Sequence, residues 1–418
     1  MSQTTTNPTL GLYIHIPWCP VRCIYCDFNT YLDRSASLKA LYHAALLREI
    51  REAGAALGRP LLDTIFFGGG TPTTLRPEQL IELVETVQKS FQLRPDAEIT
   101  TEANPGTLST EYLREVRQGG INRLSMGVQS FDNDELRFLS RLHDANTARQ
   151  AVEMARTAGF DNISLDLIFN LPYQTLQQWQ YNVRQALKLA PDHFSFYSLI
   201  VEPNTPLHKL ITRGEVPEPD DDIAADMYEW TMDALDKAGY AQYEISNWAK
   251  HSRRVRKKPF HCTGVSDLLP TQTPPLASAH NLIYWRNQPY LGLGAGAYGT
   301  YNGERWANVK RPQRYIEMVK QGAGLGMARD DKTFEHIDRE TEMLEHMMLG
   351  LRLVREGVGA KEFETRFGVA LEKHYANPIA VGIERGLLEW VQSPTQQRLR
   401  LTKGGRLLAN QAILQFFI

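Results

Sequence analysis

Cysteine is scarce in this chain: four residues in 418, three of which, Cys19, Cys23 and Cys26, share one eight-residue stretch. A disulfide scaffold spreads its cysteines out, so this clustering reads as metal ligation. An excess of one charge sign is also missing, with 46 Lys and Arg against 48 Asp and Glu. The resulting charge of −2 offers no electrostatic footprint for nucleic acid. Mean hydropathy is −0.37, and no apolar run reaches the roughly 18 residues that a membrane-spanning helix needs. The first ten residues lack the basic and apolar segments of a secretory signal. A cytoplasmic location is therefore expected, where disulfides are rare.

Short β-rich runs recur with helical patterns between them. Strands are expected near residues 12–16, 63–67, 98–101, 123–127, 164–168 and 194–199. Amphipathic stretches such as 38–53, 77–91, 109–118, 132–139 and 147–158 alternate with them. Such alternation implies parallel pairing through right-handed crossovers. Six units predict an α/β fold with a partial (β/α)6 barrel, and a doubly wound open sheet is the competing arrangement. The rhythm breaks after residue 199, at an acidic, proline-bearing linker over 214–222 and a helix over 223–238. A helix over 338–355 and a hairpin followed by a helix over 386–417 predict a C-terminal helical, winged-helix-like domain. The expected division is a barrel over 1–240, an extension with an insertion loop over 241–330, and the C-terminal domain over 331–418.

The first strand leads into Trp18-Cys19-Pro20-Val21-Arg22-Cys23-Ile24-Tyr25-Cys26, a C-x3-C-x2-C spacing. Thiolates are soft ligands suited to iron–sulfur clusters. Three ligands for four irons leave one iron open to a small chelating ligand. Structural zinc needs four ligands and usually a second Cys pair, which is absent. Three unrelated core cysteines are the bland alternative.

With this motif the chain resembles the radical S-adenosylmethionine (SAM) superfamily, and within it the oxygen-independent coproporphyrinogen III oxidase-like family. Phe67-Gly68-Gly69-Gly70-Thr71-Pro72-Thr73 ends the second strand and lacks the Gly-Lys-Ser/Thr of a phosphate loop. The resemblance implies a [4Fe–4S] cluster on Cys19, Cys23 and Cys26, with SAM on the open iron. It assigns SAM contacts to Tyr13, Tyr25, Gly69, Gly70 and Thr71. Glu102, Gln129, Arg141 and Asp166 follow at the carboxyl ends of later strands, where barrel proteins hold their ligands, and the resemblance gives them to SAM too. Singly, each would more often be an ordinary solvated or capping residue.

Only twelve residues precede Tyr13, and Cys26 is followed by Asp27-Phe28-Asn29 rather than a fourth cysteine. The decarboxylating oxidases of the family have a long N-terminal extension and that fourth cysteine. The pattern here resembles the HemW haem-chaperone branch, which also carries an H-N-x-x-Y-W motif, present as His280-Asn281-Leu282-Ile283-Tyr284-Trp285. The resemblance implies haem as a further ligand, held by His280, Asn281, Tyr284 and Trp285. It implies an acceptor haemoprotein as partner, a membrane-bound respiratory enzyme among the candidates. Imidazole is a common axial haem ligand, and aromatics pack on porphyrin faces. Alternatively, His280 is a structural histidine among core aromatics. The rival activity is oxidative decarboxylation of coproporphyrinogen III, and no catalytic residue is assigned.

Related sequences pass quickly from the Tyr243-Glu244-Ile245-Ser246 strand to the His-Asn motif, whereas residues 250–279 intervene here. Their basic run, Arg253, Arg254, Arg256, Lys257 and Lys258, reads first as a solvated loop. Contact with haem propionates or anionic lipid is the second reading. Cys262 reads as a free thiol, since SAM needs the open iron. His261 and His15 compete with His280 as haem ligands on chemistry alone.

Overall fold

The structure, a computed structural model, describes residues 9–32, 35–251 and 271–417. The expectations for His261, Cys262 and the basic run 253–258 lie outside the described residues. All six expected barrel strands are present. They are β1 (Gly11–Ile16), β2 (Leu61–Gly69), β3 (Gln92–Ala103), β4 (Arg123–Gln129), β5 (Ile163–Phe169) and β6 (His193–Ser198). Between them stand α1 (Ala36–Ala56), α2 (Pro77–Ser90), α3 (Thr110–Gln118), α4 (Asn133–Phe138), α5 (Ala145–Thr157) and α6 (Leu176–Lys188). Polar side chains set the helix starts: Ser35 accepts from the Leu38 amide, Ser109 from Tyr112 and Asp144 from Thr147.

By its internal contacts the chain divides into two compact units. The first comprises residues 1–191, 198–219 and 288–336, and the second 192–197, 220–287 and 337–418.

In the first unit β1 to β5 pair parallel in sequence order. Alternation divides their residues between two faces. One face is apolar and buried, with Leu12, Ile14, Ile65, Phe67, Leu124, Met126, Ile163 and Leu165 all inaccessible. The helices bury residues at the matching three- and four-residue spacing, such as Leu80, Leu83, Val84 and Val87 on α2. The other face carries Tyr13, His15, Glu102, Ser125, Gly127, Ser164 and Asp166, and several of these remain half-accessible. A closed (β/α)8 barrel fills this side with branched apolar residues. Here the polar face leaves a site instead of a core.

A sixth parallel strand comes from far along the chain. β9 (Tyr290–Leu293) pairs with β1 on the edge away from β2, and β10 (Tyr298–Tyr301) and β11 (Glu304–Ala307) extend it antiparallel. This region reads as merely glycine-rich in the sequence. Its glycines are required by close backbone approach: a side chain on Gly292 would begin 1.8 Å from the Tyr298 carbonyl oxygen.

In the second unit β6 pairs antiparallel with β8 (Asn247–Lys250), which pairs with β7 (Tyr240–Glu244). α7 (Asp221–Lys237) and α8 (Ala279–Trp285) belong to the same unit, as does the C-terminal domain. There α9 (Arg339–Gly350), α10 (Ala360–Phe367) and α11 (Ala376–Glu384) precede a hairpin of β12 (Leu388–Gln392) and β13 (Gln397–Leu401). Met347, Leu351, Phe363, Leu371, Leu399 and Leu401 are fully buried in its core. The fold class is therefore the expected one, α/β with a parallel-strand core and a helical, winged-helix-like C-terminal domain. Among the described residues no helix is long and apolar enough to cross a membrane.

Candidate functional site

The site is built where β1 runs into its loop. The Gly70 amide donates to the Ile16 carbonyl and the Thr71 amide to the Trp18 carbonyl, both at 2.8 Å. Tyr31 returns the chain with a 2.7 Å bond to the Pro17 carbonyl. The Asn29 side chain then donates to the Ala295 and Lys310 carbonyls at 3.0 Å each. Ile24 and Tyr25 pack on Leu139, Ile168, Leu171, Leu199 and Leu207. The cysteine loop is thus held by backbone and apolar contacts that do not depend on its sulfurs.

All three cysteines are free thiols, Cys23 buried and the other two half-buried. Cys19 Sγ lies 3.6 Å from the Thr71 hydroxyl, and Arg141 Nη1 donates to Cys23 Sγ at 3.3 Å. Burial pushes the Cys19 thiol up to about 11 and raises Cys26 too. These thiols keep their protons until a metal replaces them. Among the described residues no three His, Cys, Asp or Glu side chains converge on a single-ion position. A cubane presents a different iron to each thiolate and so spaces its ligands apart. The donor set, three stapled thiols with hydrogen-bonding partners at two sulfurs, fits a [4Fe–4S] cluster.

Beside the cysteines, the polar face of the strands assembles the remaining expected residues. Glu102 Oε2 accepts from the Gly69 amide at 3.0 Å. Burial, and then the Asp166 charge, push the Glu102 carboxyl up to about 7. Asp166 accepts from the Ser125 and Ser164 hydroxyls at 2.9 and 3.0 Å. Two carboxylates close enough for the charge of one to act on the other make a site that favours a positively charged ligand. Arg141 Nη2 donates to the Gly127 carbonyl at 2.6 Å. Gln129 stands at a β-bulge with φ of +67°, and a side chain on Gly127 would meet its amide nitrogen at 2.9 Å. Tyr13 stacks on Phe66 with centroids 6.2 Å apart and donates its hydroxyl to His15 Nδ1 at 3.0 Å. His15 Nε2 donates to the Asn29 carbonyl, an oxygen that only accepts, which fixes this tautomer. His15 therefore braces Tyr13 and the cysteine loop together.

The glycine turn is tighter than the sequence implies. The room beside Gly69 belongs to the His15 ring: a side chain would begin 2.4 Å from His15 Cε1. Gly69 also has φ of +110°. Gly69→Ala is therefore expected to destabilise the protein by about 2–4 kcal/mol through crowding and backbone strain. That loss should lower the melting midpoint by roughly 5–10 °C. An unchanged midpoint in calorimetry would show that the turn relaxes at no cost.

Sequence reasoning passes over Ser125, Ser164, Asn29 and Glu49. The serines are signalled by the same two-residue alternation that exposes Glu102 and Asp166. Glu49 has no such signal, because its partners are distant in sequence: buried on α1, it accepts from Tyr315 at 2.6 Å, Asn308 at 2.7 Å and the Gly294 amide at 2.8 Å.

The H-N-x-x-Y-W residues lie on α8 in the second unit. His280 is 1% exposed, with Nε2 2.8 Å from the Tyr284 hydroxyl and the two rings edge to face. The Arg352 guanidinium covers the Trp285 ring at 4.8 Å. The Asn281 amide donates to Ser278, which caps the helix.

A family profile described as the radical SAM superfamily matches residues 13–186, and one described as the HemN C-terminal domain matches 337–408. Among similar proteins, "Heme chaperone HemW" of Bacillus subtilis is 38% identical over 405 residues, covering 97% of this chain and 98% of that one. "Heme chaperone HemW" of Mycobacterium tuberculosis is 36% identical over 407 residues, covering 96% and 93%. Among solved structures, coproporphyrinogen III oxidase (HemN) of Escherichia coli aligns with a TM-score of 0.76 at 22% identity, over 98% of this chain and 90% of that one. At that identity it speaks for the fold alone. The cysteine loop, the polar strand face and these full-length similarities agree: the chain belongs to the radical SAM superfamily, in the family of the HemW proteins.

Proposed function

We propose that this protein binds haem and delivers it to acceptor haemoproteins, while carrying a [4Fe–4S] cluster and SAM in its first unit. The observation that carries the reading is similarity along nearly the whole chain to proteins named haem chaperones. Cys19, Cys23 and Cys26 would hold the cluster. Tyr13, Tyr25, Gly69, Gly70, Thr71, Glu102, Gln129, Arg141 and Asp166 would form the SAM site. When bound, a cluster with SAM on its open iron supplies the electron that cleaves the sulfonium. The chain's own part is to fix the loop through Asn29 and Tyr31, to hold Arg141 against Cys23, and to offer Glu102 and Asp166 to a cationic ligand.

For haem we propose His280 as axial ligand, with Asn281, Tyr284 and Trp285 around it. His280 Nε2 would have to exchange the Tyr284 hydroxyl for iron, and Trp285 would have to share its face with Arg352. The test is anaerobic reconstitution followed by haem titration. His280→Ala is expected to shift or remove the Soret band of bound haem while the cluster absorption stays. Loss only with His261→Ala would move the haem site to the insertion.

The second reading, an oxygen-independent coproporphyrinogen III oxidase, draws on the match of residues 337–408 to the HemN C-terminal domain profile. Substrate, SAM and a reductant are expected to give no carbon dioxide. Release at about one per second or faster, an ordinary enzymatic rate, would make this reading correct.

A further inference from the structure

Val128 is the extra residue of the bulge in β4. Gly127 pairs with Asp166 and Gln129 with Leu167, so Val128 has no register partner on β5. The Ser130 amide donates to the Val128 carbonyl at 2.9 Å and closes a γ-turn around Gln129, whose φ is +67°. Such a turn is rare and strained, and it persists only where its surroundings over-determine it. After the turn, the Phe131 amide donates to Asn182 Oδ1 at 2.7 Å. The Asn182 amide and the Ser130 hydroxyl both donate to the buried Glu135 carboxylate on α4.

The other side of the turn is held by His143, which is 5% exposed. Its Nε2 lies 3.1 Å from the Val128 carbonyl, and its Nδ1 lies 3.2 Å from Asn104 Oδ1, just past the end of β3. Burial, and then the Arg141 charge, lower the His143 pKa to about 4, so the ring is neutral and has one N–H to give. A carbonyl can only accept, so that N–H belongs to Nε2 and donates to Val128. The Asn104 amide can turn its nitrogen to Nδ1. The buried carbonyl that the bulge takes from the sheet thus gains a side-chain donor. Over Gly127 the Gln129 amide nitrogen and Arg141 Nη2 converge, 2.9 and 3.5 Å from the point where a side chain would begin. Arg141 is fixed separately, by the Gly127 carbonyl and Cys23. A shift of the turn would therefore carry Gln129 away from Arg141.

We propose that His143 is a positioning residue of this site: its hydrogen bond to the Val128 carbonyl fixes the γ-turn that aims Gln129 beside Arg141. His143 acts through Gln129 rather than by touching a ligand, and that the ligand is SAM rests on the reading above. The full-length protein is reconstituted anaerobically, its iron is counted, and SAM affinity is measured by calorimetric titration. Glutamine and asparagine separate the two ring contacts, because a glutamine amide reaches where Nε2 stands and an asparagine amide where Nδ1 does. His143→Asn should weaken SAM binding about tenfold, the worth of one hydrogen bond, while iron stays at the wild-type level. His143→Gln should stay within about twofold of wild type. Residues that act as one unit give losses that do not add. Gln129→Ala should weaken SAM about tenfold, and His143→Asn in that background should cost less than about twofold more. Equal affinity in the glutamine and asparagine variants, or losses that multiply in the double variant, overturns the proposal and leaves the SAM reading intact. Loss of iron in His143→Asn would assign the ring to the fold instead of the site and overturns the proposal too. A wild type that holds its full iron but binds no SAM overturns the SAM reading, and this assignment with it.

Discussion

Alanine in place of Cys19, Cys23 or Cys26, one at a time, is expected to abolish the iron–sulfur cluster. A cubane on three protein thiolates has no spare ligand, so one removal leaves two anchors for about four irons. The fold should survive, because the loop is held by Asn29, Tyr31 and the Gly70 and Thr71 amides rather than by sulfur. After anaerobic reconstitution, iron and sulfide should fall from about four each per chain to near zero. The melting midpoint of the metal-free protein should stay close to that of the metal-free wild type. Cys262→Ala should keep full iron. Full occupancy in any of the three single variants, or loss with Cys262→Ala, would reassign the ligands.

The barrel strands are legible in the sequence because a two-residue alternation of apolar and polar residues survives in them. The same alternation separates Leu124, Met126 and Val128 from Ser125, Gly127 and Gln129, so it marks the site face as well as the strand. Where that pattern is absent, structure is hidden. β9 pairs with β1 and holds Gly292, which lets Tyr298 approach from its other side, and glycine is depleted in strands, so residue preference points away from the observed pairing. The helix expected over 338–355 stops at Gly350, where a side chain would begin 2.7 Å from Val358 Cγ2. Glu49 is read as one more polar residue on an amphipathic helix, since Tyr315, Asn308 and Gly294 stand more than 240 residues away. Interleaved units are likewise hidden, because a sequence is cut into consecutive segments while contacts are not.

Glu102 gives the sharper test of the SAM site. Its carboxyl is pushed up to about 7 by burial and by the Asp166 charge, against an ordinary value of 4.5. Burial therefore favours the neutral form, whose stabilisation is present at low pH and is lost as pH rises from 4.5 through about 7. A cationic ligand has the opposite preference and binds best when Glu102 is ionised. At pH 5 only about one molecule in a hundred carries that charge, and at pH 8 about nine in ten do. SAM affinity is therefore expected to rise about a hundredfold between pH 5 and pH 8, most of it below pH 7. Glu102→Gln keeps an oxygen within reach of the Gly69 amide but removes the titration, so that rise should vanish from its profile. The ligand's own amine titrates identically against both proteins, and the difference between the two profiles isolates Glu102. Calorimetric titrations of reconstituted protein at pH 5, 6, 7 and 8 measure it. Parallel profiles for wild type and Glu102→Gln would show that this carboxylate does not face the bound cation, leaving Asp166 as the acid that does.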